Sequence, residues 1–341
     1  MEKEKLSRVF SRRDFLKIGA VAAAGAGVWL LESKSKTAKE ASTFDPQPTL
    51  APPTPEEYRV GVPGVSKNEP PTPEKITASP EMVDLQSRLK AEIDSFDGQT
   101  AVSVTDILTG EQIDVYGDRP QKPGCVANLL CALTTIAELS EGRATFTKEE
   151  IEVTMTIMVR HSNPSKGLEL VKILGNGDIQ AGIAKINYWR NLWGMKGSFY
   201  DHPPAFDGYS QGRQNLIVPN EMNQVLAKIA KGELFGGDWN NYAIWVMENN
   251  KPGLNFMIPY YVPESEATVA HKVGWVPGCT DTINDVGLVL ANDNRFKIAI
   301  SCMYQGQECQ SENGLFYGPG VFLGKLAGMA YETFTTRYGH P

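Results

Sequence analysis

The chain has 341 residues, 41% hydrophobic and 21% charged, the make-up of an ordinary soluble globular protein with room for one large domain or two. A formal net charge of −7 argues against nucleic acid as a general partner, because phosphate binding needs a basic surface. His161, His202, His271 and His340 are scattered, no Cys or His pair has ligand spacing, and no glycine loop could cradle a phosphate, so neither a metal nor a cofactor is expected.

Residues 1–41 read as an export signal and the segment that follows it. Ser11-Arg12-Arg13-Asp14-Phe15-Leu16-Lys17 resembles the twin-arginine export signature. The apolar run from Ile18 to Leu31 behind it is too short and too rich in Ala and Gly for a typical membrane span. The chain is therefore expected outside the cytoplasm, carried there already folded, with a possible membrane tether through this segment. Residues 42–79 change character: ten prolines fall between Pro46 and Pro80. Such a stretch cannot bury enough surface to offset its ordering entropy and is expected to be an extended, disordered tether.

The folded unit is expected over 80–341. Ser79-Pro80-Glu81 is a helix start, and Met82, Leu85, Leu89, Ile93 and Phe96 mark the inward face. AVSVTD and EQIDVYG around Leu108-Thr109-Gly110 predict a β-hairpin. From Thr147 to about Gly236 the signals are mostly helical, interrupted by an irregular loop over Phe199–Asn215 of the kind that tends to be functional or mobile. Strands are expected at Thr268–Trp275, Ile283–Leu290 and Phe296–Tyr304, then a helix from about Pro319 to Thr335. Strands at both ends of the domain with a helical block between them predict an α+β, two-lobed fold: one antiparallel sheet built from both ends, a helical lobe, and a cleft where they meet.

The stretch KPGCVANLLCALTTIAELSEG, from Lys122 to Gly142, is its centre. A Pro-Gly turn delivers Cys125 to the first turn of a helix whose buried stripe is Leu129, Leu133, Ile136 and Leu139. A side chain there receives the positive end of the helix dipole, a suitable place for acyl-transfer chemistry.

Four features together resemble the class A β-lactamase and penicillin-recognising serine hydrolase superfamily. The hairpin turn TDILTGEQI is similar to that between the family's first two strands. The central helix falls at the S-x-x-K motif, Arg160-His161-Ser162-Asn163-Pro164 at S-D-N, and Val269–Trp275 with Asn284-Asp285-Val286-Gly287 at the K-T-G strand and its neighbour. The resemblance implies that fold and, as catalytic positions, Cys125, Asn128, Ser162 and Lys272. It implies substrate binding at Asn163, Val273, Gly274 and Trp275, and a monomer whose ligand is a peptidoglycan peptide or a β-lactam-like small molecule.

The reacting atoms depart from that pattern. Cys125 stands for the serine and Asn128 for the lysine, and an amide cannot act as a general base near neutral pH. Asn163 and Pro164 replace the aspartate and asparagine of S-D-N, Val273 replaces the threonine of K-T-G, and no E-x-x-L-N pattern supplies a deacylating glutamate. Two readings follow. In the first the fold is kept, catalysis is lost, and the domain is a cell-envelope-binding pseudoenzyme. In the second Cys125 is the nucleophile of a hydrolase or acyltransferase, since a thiolate needs less base assistance than a hydroxyl. His161, beside Ser162, is then a candidate proton acceptor, against a bland role in packing or solvent.

Five cysteines leave at least one unpaired within the chain. Cys302 and Cys309 are close enough in sequence to pair, and Cys279 could reach Cys125 if the family geometry holds, which would seal the cleft. Cys131 reads as a small core residue, Trp189 and Trp193 as core, and Phe256, Tyr260 and Tyr261 as a possible rim of the cleft.

Overall fold

The computed structural model describes residues 76–248, 257–276, 282–306 and 317–339. The signal, most of the tether, Cys279, Cys309 and Phe256 lie outside them.

Helix α1, Pro80–Asp94, begins with proline at its first position and buries Met82, Leu85, Leu89 and Ile93. Ser79 starts it without capping it: its hydroxyl accepts from Arg337 (3.1 Å) and its N–H donates to Glu111 (2.5 Å). Strands β1, Gln99–Asp106, and β2, Gln112–Val115, form the expected hairpin. The Asp106 carboxylate closes its turn by accepting the N–H groups of Leu108 and Thr109. A 3₁₀ turn, Gly124–Val126, leads into α2, Ala127–Ser140, which is buried on almost every side.

The helical block follows as α3 (Lys148–His161), α4 (Pro164–Leu174), α5 (Ile179–Leu192), α6 (Pro219–Lys231) and α7 (Trp239–Met247). Thr147 and Glu150 form a capping box on α3, and Asp178 caps α5. Trp189 and Trp193 stack at 5.9 Å within the core of this lobe, as their spacing predicts. Strands β3 (Ala267–Val276), β4 (Thr282–Ala291) and β5 (Lys297–Gln305) and helix α8 (Tyr317–Tyr338) complete the unit.

The sheet order is β2-β1-β5-β4-β3, every pair antiparallel, so β1 from the start of the domain pairs with β5 from its end. Both faces are covered, and side-chain alternation sorts the residues between two cores. Ala270, Val286, Leu288 and Met303 face α2 and the helical lobe. Val273, Ile283, Val289 and Cys302 face the second core, with residues of α1 and α8.

Both ends of the domain meet in one polar cluster. Arg337 of α8 pairs with Glu111 (2.5 Å) and Asp106 (3.6 Å) and donates to Ser79, while the Tyr338 hydroxyl donates to Asp106 (2.6 Å).

The pairings Cys302–Cys309 and Cys125–Cys279 fall on Cys309 and Cys279, outside the described residues; Cys302 is buried in the second core and Cys125 is half-buried. One expectation changes here. Tyr260 and Tyr261 lie in a 3₁₀ turn, Ile258–Tyr261, packed against α8, where Gly328 leaves room for the Tyr261 ring. They belong to the α8 side of the sheet and do not rim the Cys125 site.

Candidate active site

Two glycines bring the Cys125 turn against strand β3. A methyl group on Gly274 would stand 2.1 Å from the Pro123 carbonyl oxygen and 2.8 Å from the Val126 nitrogen. One on Gly124, whose φ is +53°, would lie within 3.0 Å of three backbone atoms of Trp275. Only hydrogen fits at either place. The turn is also tied from two other sides. Buried Asn284 of β4 donates to the Lys122 carbonyl (2.8 Å), and Gln121 exchanges two 2.9 Å backbone hydrogen bonds with Ile217, at the end of the long loop. Neither Asn284 nor Gln121 is evident from the sequence as a site residue. The only hint is the Asn-Asp-Val-Gly run that marks the neighbouring strand.

So held, half-buried Cys125 places its sulfur 3.8 Å from the Trp275 carbonyl oxygen. Ser162 arrives from the joint between α3 and α4. It ends α3 in the left-handed conformation (φ 51°, ψ 37°), an uncommon state for a residue with a side chain. The next residue, Asn163, starts α4 as its N-cap, its side-chain oxygen accepting the Lys166 N–H (3.0 Å), and Pro164 takes the first helical position.

Lys272 is fully buried on β3 and donates to Ser162 Oγ (2.5 Å) and to the Val273 carbonyl (2.6 Å). Burial pushes its pKa down to about 8, with the charges of Cys125 and Asp285 opposing the shift. Lys272, Ser162, Cys125 and the Gly274–Trp275 backbone are thus brought together.

Three of the remaining positions lie differently. Asn128 is fully buried, and neither its amide nitrogen nor its oxygen has a hydrogen-bond partner. It points between α3 and α4: a methyl group on Gly167 would sit 2.9 Å from its oxygen, with the Met158 sulfur close by. Val273 turns its side chain into the second core, away from Lys272, and gives the site its carbonyl alone. Asn163 has its side-chain oxygen committed to the α4 cap. His161 is exposed at the end of α3. On the opposite face of β3, His271 and Asp285 form a buried pair at 2.8 Å, and Asp285 also accepts the Ile258 N–H. This pair lies on the α8 side. Among the described residues, no group of three or more His, Cys, Asp or Glu side chains is placed to hold a metal.

The chain has the fold of the class A β-lactamases. Residues 177–318 match the Beta-lactamase enzyme family, and residues 9–29 match the signal sequence of the twin-arginine translocation pathway, which assigns the chain to export. Among solved structures, a β-lactamase from Chitinophaga pinensis shares 15% identity at a TM-score of 0.61, over 73% of this chain and 98% of that one. PBP-A gives 16% and 0.62, over 75% and 97%. The TLA-3 extended-spectrum β-lactamase gives 14% and 0.61, over 73% and 98%. No curated protein matches the chain in sequence.

Proposed function

We propose that this is an exported β-lactamase-like domain that has lost acyl transfer, has kept part of the recognition side of its site, and binds D-amino-acid peptide ends of the cell envelope. The observation that carries this reading is Asn128. The side chain three residues after the nucleophile position is an amide, it cannot take a proton near neutral pH, and it points away between two helices. Ser162, Lys272 and the Gly274–Trp275 backbone remain to receive a ligand. Among the described residues Lys272 has no carboxylate as a hydrogen-bond partner, so its charge suits the carboxylate that ends a peptide. PBP-A supports this ligand chemistry, since one of its mutants has been solved as an acyl-enzyme complex with penicillin G.

A second reading keeps Cys125 as a nucleophile. Lys272, lowered by burial to about 8, favours it, because such a lysine can accept a proton at neutral pH. One experiment separates the two: intact mass of the protein after exposure to penicillin G and to a D-alanyl thioester, alongside calorimetric titration with a stem peptide ending in D-alanine. The first reading expects no adduct, and peptide binding that Lys272→Met weakens at least tenfold. An adduct that maps to Cys125 and disappears in Cys125→Ala would establish the second. Neither adduct nor peptide binding would overturn both.

A further inference from the structure

The long loop between α5 and α6 carries a histidine whose surroundings the site above does not use. Its two ends are closed by a backbone bridge between Phe199 and Leu216 (2.7 and 2.8 Å), and the next residue, Ile217, pairs with Gln121 on the approach to Cys125. Inside the loop Asn215 fixes the backbone of His202. Its oxygen accepts the Asp201 and His202 N–H groups, and its amide donates to the His202 carbonyl (2.8 Å).

The imidazole then lies between two carboxylates, with Nδ1 3.0 Å from Asp201 Oδ2 and Nε2 3.1 Å from Asp207 Oδ1. An ionised carboxylate only accepts, and a neutral imidazole has a single N–H. The Asp201 contact is a hydrogen bond and the Asp207 contact an ion pair, and both are favourable together only when the ring carries two protons. Asp201 is itself buried. Burial opposes its ionisation, but hydrogen bonds from Ser210, His202 and the Gln211 N–H outweigh this and hold its carboxyl below the usual range. Asp207 is almost wholly exposed on a 3₁₀ turn, Asp207–Tyr209.

Between the two aspartates Ala205 is held at φ +68°, a conformation that costs a residue with a Cβ about 1 kcal/mol and persists only while its surroundings enforce it. The other charged groups near the loop are Arg213, stacked 3.6 Å over the Phe199 ring, and Arg190 on the same ring, with Glu221 next to it. Helix α5 offers the loop the neutral Gln180, which donates to the Tyr209 carbonyl and pairs with Gln211.

We propose that His202 is a proton-operated latch: as an imidazolium it clamps Asp201 to Asp207 and holds the 199–216 loop closed, and loss of one proton releases the Asp207 end. A neutral ring keeps its better-buried bond to Asp201. The exposed Asp207 turn then has no donor, and the strain at Ala205 favours opening. The loop ends at the pairing that positions the Cys125 turn, so the state of one partly buried histidine reaches the site. This inference does not depend on whether the site binds or reacts.

The test is amide hydrogen exchange of residues 199–216 at pH 5.5 and pH 8 in the intact protein, corrected for intrinsic exchange. In the wild type, protection is expected to fall about two- to fivefold at pH 8, the worth of an ion pair to an exposed carboxylate. Asp207→Asn alters an exposed residue and supplies an amide that can donate to an unprotonated Nε2. This variant should keep the loop protected at both pH values. Equal protection at the two pH values in the wild type, or a drop that survives in Asp207→Asn, overturns the latch. His202→Gln, which cannot change charge, should likewise lose the pH dependence.

Discussion

A primary amide sealed from water without a hydrogen bond costs about 1–3 kcal/mol for each unmet group, and Asn128 leaves both of its groups unmet. A core built for stability alone would place leucine there, at nearly the same volume. Asn128→Leu is therefore expected to raise the stability of the domain by about 1–2 kcal/mol, read from urea unfolding. A loss of stability would mean that the amide has a partner, such as an internal water, and that it is not an idle remnant. The departures at 125, 128 and 273 were legible in the sequence, because each is a change of functional group at a motif position. Where those side chains point was not. Val273 faces away from Lys272 because neighbouring residues on a strand alternate, and Asn163 serves as a helix cap because Pro164 starts a helix immediately behind it. The same limit applies to Cys302. Sequence separation says nothing about facing, and Cys302 lies at a core-facing position of β5.

At the scale of elements, the site exists because a helix-leading turn and a strand touch backbone to backbone. Gly274 makes that contact possible, and the Pro123 oxygen 2.1 Å from an added methyl group cannot be avoided by a rotamer change. Gly274→Ala must part β3 from the turn. The expected outcome is a loss of about 3 kcal/mol or more in urea unfolding, together with faster alkylation of Cys125 as Trp275 withdraws from it. Alkylation at the wild-type rate in a folded Gly274→Ala protein would show that the close approach does not set Cys125 in place. The elements themselves were readable from periodicity: the hairpin, the central helix, the three later strands and the last helix fall within a few residues of their expected bounds. Their pairing was less so. That β5 would lie between β1 and β4 rests on contacts between opposite ends of the domain, which local pattern does not encode.

For the whole molecule, the cluster of Ser79, Asp106, Glu111, Arg337 and Tyr338 closes the fold. Removing one partner of a mostly buried ionic cluster leaves the others uncompensated. Arg337→Ala should cost about 3 kcal/mol, measured by urea unfolding at neutral pH, and a change below about 0.5 kcal/mol would show that the cluster merely decorates the surface. The joining of the two ends also bears on the order of events in the cell. Strand β1 and helix α1 come off the ribosome early, but their partners β5 and α8 come last. The domain cannot reach its final form while it is still being made. The signal ahead of it is translated first and must wait, attached to an incomplete body, until the last helix docks. A route that carries finished proteins suits such a chain, and a route that threads the chain during synthesis would part β1 from β5 on opposite sides of the membrane.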